Sequence, residues 1–134
     1  MSFHTWPRAA LVVLALGGLT RCTSSGGPGL AACSGAVTMT PASGLAPTFT
    51  WTPNCLADQV AVEENIAPSA GGPQPRWIIQ SRTTGQGTSS PLTYGDVPAR
   101  MQEVLSAAPL VAGHQYRVSV SGGTTVVGTR VFTP

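Results

Sequence analysis

The sequence predicts an all-β protein: an antiparallel sandwich of seven short strands in two sheets. Three observations predict it. Short apolar runs alternate with polar residues at a period of two, Gly, Pro, Ser or Asn bounds each run, and charged residues are too scarce for exposed helical faces. Only 9% of the 134 residues are charged, against 42% hydrophobic, and 16 Gly and 12 Pro punctuate the chain. Many short strands joined by turns account for that balance better than amphipathic helices do.

The first strand is read over Ala36 to Met39, where Val37 and Met39 share a face, and the second over Thr48 to Thr52, where Phe49 and Trp51 share one. Val60 and Val62 mark a third over Gln59 to Glu63, and Trp77, Ile78 and Ile79 a fourth over Arg76 to Ser81. Between these two lies Ser69–Pro75, rich in Gly and Pro and therefore a loop. A Gly/Thr/Ser stretch from Arg82 to Ser90 reads as a flexible loop tip. A fifth segment covers Gln102 to Leu105; helical propensity favours a turn there, but strand or irregular edge is the expectation. Tyr116, Val118 and Val120 alternate in the sixth, Ser121-Gly122-Gly123 turns the chain, and Val126 to Phe132 returns as the seventh. The expected core is Phe49, Trp51, Leu110, Tyr116, Val118, Val120 and Phe132. Trp77 opens its segment beside a Gly/Pro loop, so it is placed either in the core or partly exposed at a binding surface.

The N-terminus has the pattern of an export leader. Arg8 supplies the positive charge, and Ala9 to Leu19 is an apolar core too short to span a bilayer, which needs about 20 residues. Residues 1–21 are read as the signal peptide, 22–33 as a flexible tether and 34–134 as the folded domain. Leu19-Thr20-Arg21-Cys22 resembles the lipobox of bacterial lipoproteins, with Arg21 standing where a small residue is usual. The resemblance implies lipidation of Cys22 and a membrane attachment through that lipid. Lipidation at Cys33, in Leu30-Ala31-Ala32-Cys33, and secretion without a lipid are the alternatives. If Cys22 takes the lipid, Cys33 and Cys55 remain as a pair for a disulfide in an oxidising compartment.

Two motifs resemble the fibronectin type III domain and related immunoglobulin-like sandwiches. Pro47-Thr-Phe-Thr-Trp51-Thr-Pro53 is similar to that family's second strand, with its core tryptophan. Leu110-Val-Ala-Gly113-His-Gln-Tyr116-Arg-Val118-Ser-Val120 resembles its Leu-x-Pro-Gly-x-x-Tyr-x-Val-x-Val run, with Ala112 in place of proline. The resemblance implies a tyrosine corner, in which the Tyr116 hydroxyl bonds back to main chain near Leu110. It speaks to fold and not to function.

Residues that would carry chemistry are sparse. Arg8 and Arg21 lie in the leader, so five Arg and five acidic residues leave the domain neutral, without the basic footprint of a nucleic-acid binder. His114, in the turn before Tyr116, is read as an exposed loop residue. Zinc is not expected with one His beyond the leader, and calcium is not expected at the isolated Asp58 and Asp96. Glu63 and Glu64, as strand neighbours, point to opposite faces and cannot form a facing catalytic pair; they read as a solvated strand end that discourages edge pairing. No catalytic residue, metal or cofactor is expected.

The functional expectation is a non-enzymatic cell-envelope module, monomeric and lipid-anchored or else periplasmic or secreted, that binds a protein or polysaccharide partner. The loops Ala67–Pro75 and Thr83–Ser90 are its candidate contacts. A structural spacer and a small secreted inhibitor are the alternatives.

Overall fold

The structure is a computed structural model that describes residues 29–134; the expected leader, Cys22 and the tether to residue 28 lie outside the described residues. The alternating segments form eight strands: β1 (Thr38–Pro41), β2 (Thr48–Thr52), β3 (Gln59–Glu64), β4 (Gln74–Ser81), β5 (Leu92–Thr93), β6 (Met101–Leu105), β7 (Tyr116–Gly122) and β8 (Thr125–Phe132). They pair antiparallel in two sheets, β1-β2-β5 and β6-β4-β3-β7-β8. The protein is an all-β, two-sheet antiparallel sandwich. The strand beyond the expected seven is β5, whose two residues are too few to show an alternation in sequence.

The period of two explains which residues face inward. On β2, Phe49 and Trp51 are buried and the threonines between them are not. On β3, Val60 and Val62 are fully buried and sit opposite Ile79 and Trp77 of β4 and Val120 and Val118 of β7. Trp77, which the sequence leaves between core and surface, is fully buried and packs edge-on against Tyr94 at 5.2 Å. Leu110 and Tyr116 complete the core. Phe132 differs from the other expected core residues: it is half-buried, because β8 is the last strand of its sheet, and it covers Phe49 and Tyr116 at 5.5 and 5.8 Å.

Both lateral openings between the sheets are bridged. On one side Val37 donates its N–H to Val127 C=O (2.9 Å), and β8 approaches so closely that a Cβ on Gly128 would lie 2.5 Å from the Val37 side chain. On the other side, the Tyr94 hydroxyl, at the end of β5, donates to Ala108 C=O at 2.6 Å. Burial pushes the phenol of Tyr94 up to about 12; Tyr94 therefore stays a donor.

The segment Met101–Leu105 is a strand, as expected, and lies on the outer edge of the five-stranded sheet, beside β4. β3 is not at an edge: it pairs with β4 and β7. Glu63 and Glu64 therefore do not guard a free strand, which corrects the sequence reading of them.

Candidate functional site

Strand register sorts the loops into two groups. Gln59 pairs with Ser121, whereas Glu64 pairs with Tyr116, so the loops after Glu64 and before Tyr116 share one end of the sandwich. The disulfide, residues 82–90 and the β7–β8 turn share the other.

At the disulfide end, Cys33 and Cys55 are bonded and buried. Ala31 and Ala32, which the sequence assigns to the tether, already follow the fold: Ala31 C=O accepts from Leu56 N–H (2.8 Å), and Cys33 N–H donates to Leu56 C=O (2.9 Å). Asp58, buried just before β3, is the hub. One carboxylate oxygen accepts the N–H of Gly85 (2.6 Å) and the other the N–H of Gly123 (2.7 Å), so a single side chain ties two loops far apart in sequence. Thr88 and Ala57 exchange backbone hydrogen bonds of 3.0 and 2.7 Å. Gly87 is required there, since a Cβ would fall 1.7 Å from Ala57 oxygen. Asn54 accepts from Ser90 N–H at 3.1 Å, and Ser90 Oγ accepts from Trp51 N–H at 3.1 Å.

The stretch 83–90 is therefore not the flexible tip expected from its Gly/Thr/Ser composition. Its turn, Thr83–Gln86, closes with a 3.0 Å hydrogen bond, and Gly85 has φ +78, as a glycine at the third position of a type II turn requires. Thr88 and Gly87 are buried while Thr83, Thr84 and Gln86 face solvent. The loop is a rigid platform with three exposed polar side chains.

The opposite end is built from side-chain pairs. Glu64 lies between Arg76 of β4 and His114 of the loop before β7. Arg76 donates to one carboxylate oxygen, its Nε at 3.0 Å, and His114 Nδ1 lies 2.6 Å from the other. Arg76, first, and His114, second, hold the Glu64 carboxyl below the usual carboxylate range against the desolvation that raises it. His114 is thus exposed on one side, as the sequence suggests, but engaged on the other. Glu63, facing the opposite way, pairs with Arg117. The Tyr116 hydroxyl accepts the N–H of Val111 at 2.9 Å, one residue past Leu110. The other expected contact loop is exposed from Ala67 to Gly71 and contains one 3-10 turn, Pro68–Ala70; Gln74 and Pro75, assigned to it by sequence, belong to β4.

Two hollows mark the surface of the described residues. A shallow groove of about 390 Å³ runs along β5, lined by Thr48, Leu92, Thr93, Asp96, Val97 and Pro98 among others. A smaller one, about 220 Å³, lies beside the platform between Arg82, Thr83, Gln86, Ala99 and Arg100. No group of three or more His, Cys, Asp or Glu side chains able to hold a metal ion occurs among the described residues.

Sequence reasoning missed Asp58 and Tyr94. An isolated aspartate has no signal when its partners are backbone amides, and Tyr94 lacks the flanking motif that marks Tyr116. No helix among the described residues is long and apolar enough to cross a membrane. Among known proteins, no family model, no curated protein and no solved structure matches the chain.

Proposed function

We propose that this protein is a non-enzymatic binding module of the cell envelope, exported by its leader, held by a lipid on Cys22 and presenting loops of a fibronectin type III-like sandwich to a protein or polysaccharide partner. The observation that carries this reading is the use made of polar side chains at the disulfide end. Asp58, Asn54 and Ser90 all bond to main chain and fix the platform 82–90. A pre-fixed loop loses little conformational entropy when it binds, which is what a recognition surface needs.

The family resemblance is supported by Trp51 in the core of β2 and by the hydroxyl of Tyr116 on Val111 N–H. The Cys33–Cys55 disulfide supports an oxidising compartment. The test is recovery of partners from native envelopes with the intact protein and with Thr83, Thr84 and Gln86 changed together to alanine. Loss of one stoichiometric partner from the variant is expected. A partner that stays bound, with the fold intact, overturns the assignment of the platform. Intact mass of the envelope-derived protein tests the lipid: acyl chains on Cys22 are expected, and an unmodified chain overturns the anchor.

A further inference from the structure

We infer that the hollow between Arg82 and Arg100 is a binding site for a single oxyanion group: a carboxylate, sulfate or phosphate. Arg82 N–H donates to Arg100 C=O at 3.0 Å, extending the β4–β6 ladder by one pair beyond Ser81 and Met101. Two arginines therefore sit opposite each other across neighbouring strands and line one hollow of about 220 Å³. Like charges so placed repel. The ion pairs among the described residues use Arg76, His114 and Arg117, so no carboxylate relieves the Arg82–Arg100 pair. A bound oxyanion would.

The hollow is also pre-organised. Arg82 Nε donates to Met101 C=O at 3.2 Å, which holds the guanidinium plane and leaves its terminal nitrogens free. Gln86 and Thr83, which carry an amide and a hydroxyl, also line the hollow, in the turn that Asp58 pins through Gly85. Planar guanidinium donors with neutral donors beside them match the paired oxygens of a carboxylate, sulfate or phosphate. Such a group comes either as a free ion or as an acidic substituent on a polysaccharide. The second source rests on the binding-module reading above; the site itself does not.

The experiment titrates the isotopically labelled protein with sodium phosphate at constant ionic strength, following the Arg82 and Arg100 side chains and the Thr83 and Gln86 amides by NMR. Saturable shifts confined to these groups are expected. R82Q and R100Q should each weaken binding about tenfold, the loss of one charge-assisted hydrogen bond, while R130Q, remote from the hollow, leaves it unchanged. Non-saturating shifts, or equal loss in R130Q, overturn the site.

A second arm compares polygalacturonate with its monomer at equal carboxylate and with neutral dextran. Tighter binding of the acidic polymer, displaced by phosphate, assigns the group to a polysaccharide. Equal binding of polymer and monomer assigns it to a free ion and overturns the polysaccharide source. A chain that captures an envelope partner yet ignores both phosphate and polymer overturns this inference alone and leaves the binding-module reading standing.

Discussion

The two ends of the sandwich are closed by different physics. At the disulfide end, a covalent bond and the Asp58 carboxylate grip main chain: Cys33 to Cys55, and Asp58 to the amides of Gly85 and Gly123. At the other end, Glu64 joins Arg76 and His114, Glu63 joins Arg117, and the Tyr116 hydroxyl reaches main chain at Val111. Bonds to main chain fix where a loop runs. Pairs between long, partly exposed side chains hold it more weakly, because solvent screens them and both partners lose rotamer freedom. The rigid end carries the arginine hollow, and the difference is why the proposed recognition surface is placed there.

Removing the disulfide should loosen the rigid end most. Its cysteines are 22 residues apart in sequence, and closing a loop of that size stabilises by about 3 kcal/mol through the unfolded chain. Cys33→Ala with Cys55→Ala should lower stability by about that amount in urea unfolding. Hydrogen exchange should quicken at Gly85 and Gly123 before it does at Val111. Uniform quickening at both ends would show that they open as one unit and that the contrast is only structural.

Asp58→Asn comes next. The amide keeps one acceptor and turns its NH2 toward a backbone N–H, leaving a buried donor unsatisfied at a cost of about 2 kcal/mol. Loop 82–90 should loosen with it, so the variant should also weaken the arginine hollow without touching it. Tyr116→Phe removes the hydroxyl's grip on main chain at the other end and strands the Val111 N–H, for about 1 kcal/mol. Urea midpoints rank the two variants; a larger loss from Tyr116→Phe would reverse the assignment of the rigid end.

How legible each end is follows from the same difference. Alternation along Phe49 and Trp51, and along Tyr116, Val118 and Val120, reads directly as strands with one buried face, since burial imposes the period. The Cys33–Cys55 pair follows from parity once Cys22 is set aside. Which sheet takes Met101–Leu105, by contrast, depends on pairing with β4 and has no local sign. The rigidity of residues 82–90 is hidden for a similar reason. Their composition matches a mobile linker, and what fixes them is Asp58, whose two partners stand 27 and 65 residues away. Glu64 misleads in the same manner: two adjacent glutamates look like a solvated strand end until β4 brings Arg76, and the loop before β7 brings His114, to one of them. Composition and period see what a residue prefers, and neither sees a contact between distant segments.

The smallest expected effect is a dependence on pH confined to the Glu64 end. Arg76 and His114 hold the folded-state pKa of Glu64 below that of the unfolded chain. A carboxylate depressed in this way stabilises the fold at pH values above its unfolded pKa, and the contribution fades as pH falls through the folded one. Glu64→Gln should therefore be less stable than the parent at about pH 7, and by a smaller margin at about pH 3. Urea unfolding at the two pH values gives that difference, and the exchange rate of the Val111 amide reports whether it stays local. The Asp58-bound amides of Gly85 and Gly123 should exchange alike in parent and variant. If they quicken in Glu64→Gln as well, the ion-pair end supports the platform through β3, which runs directly from Asp58 to Glu64, and the rigidity of the disulfide end is then a property of the whole sheet.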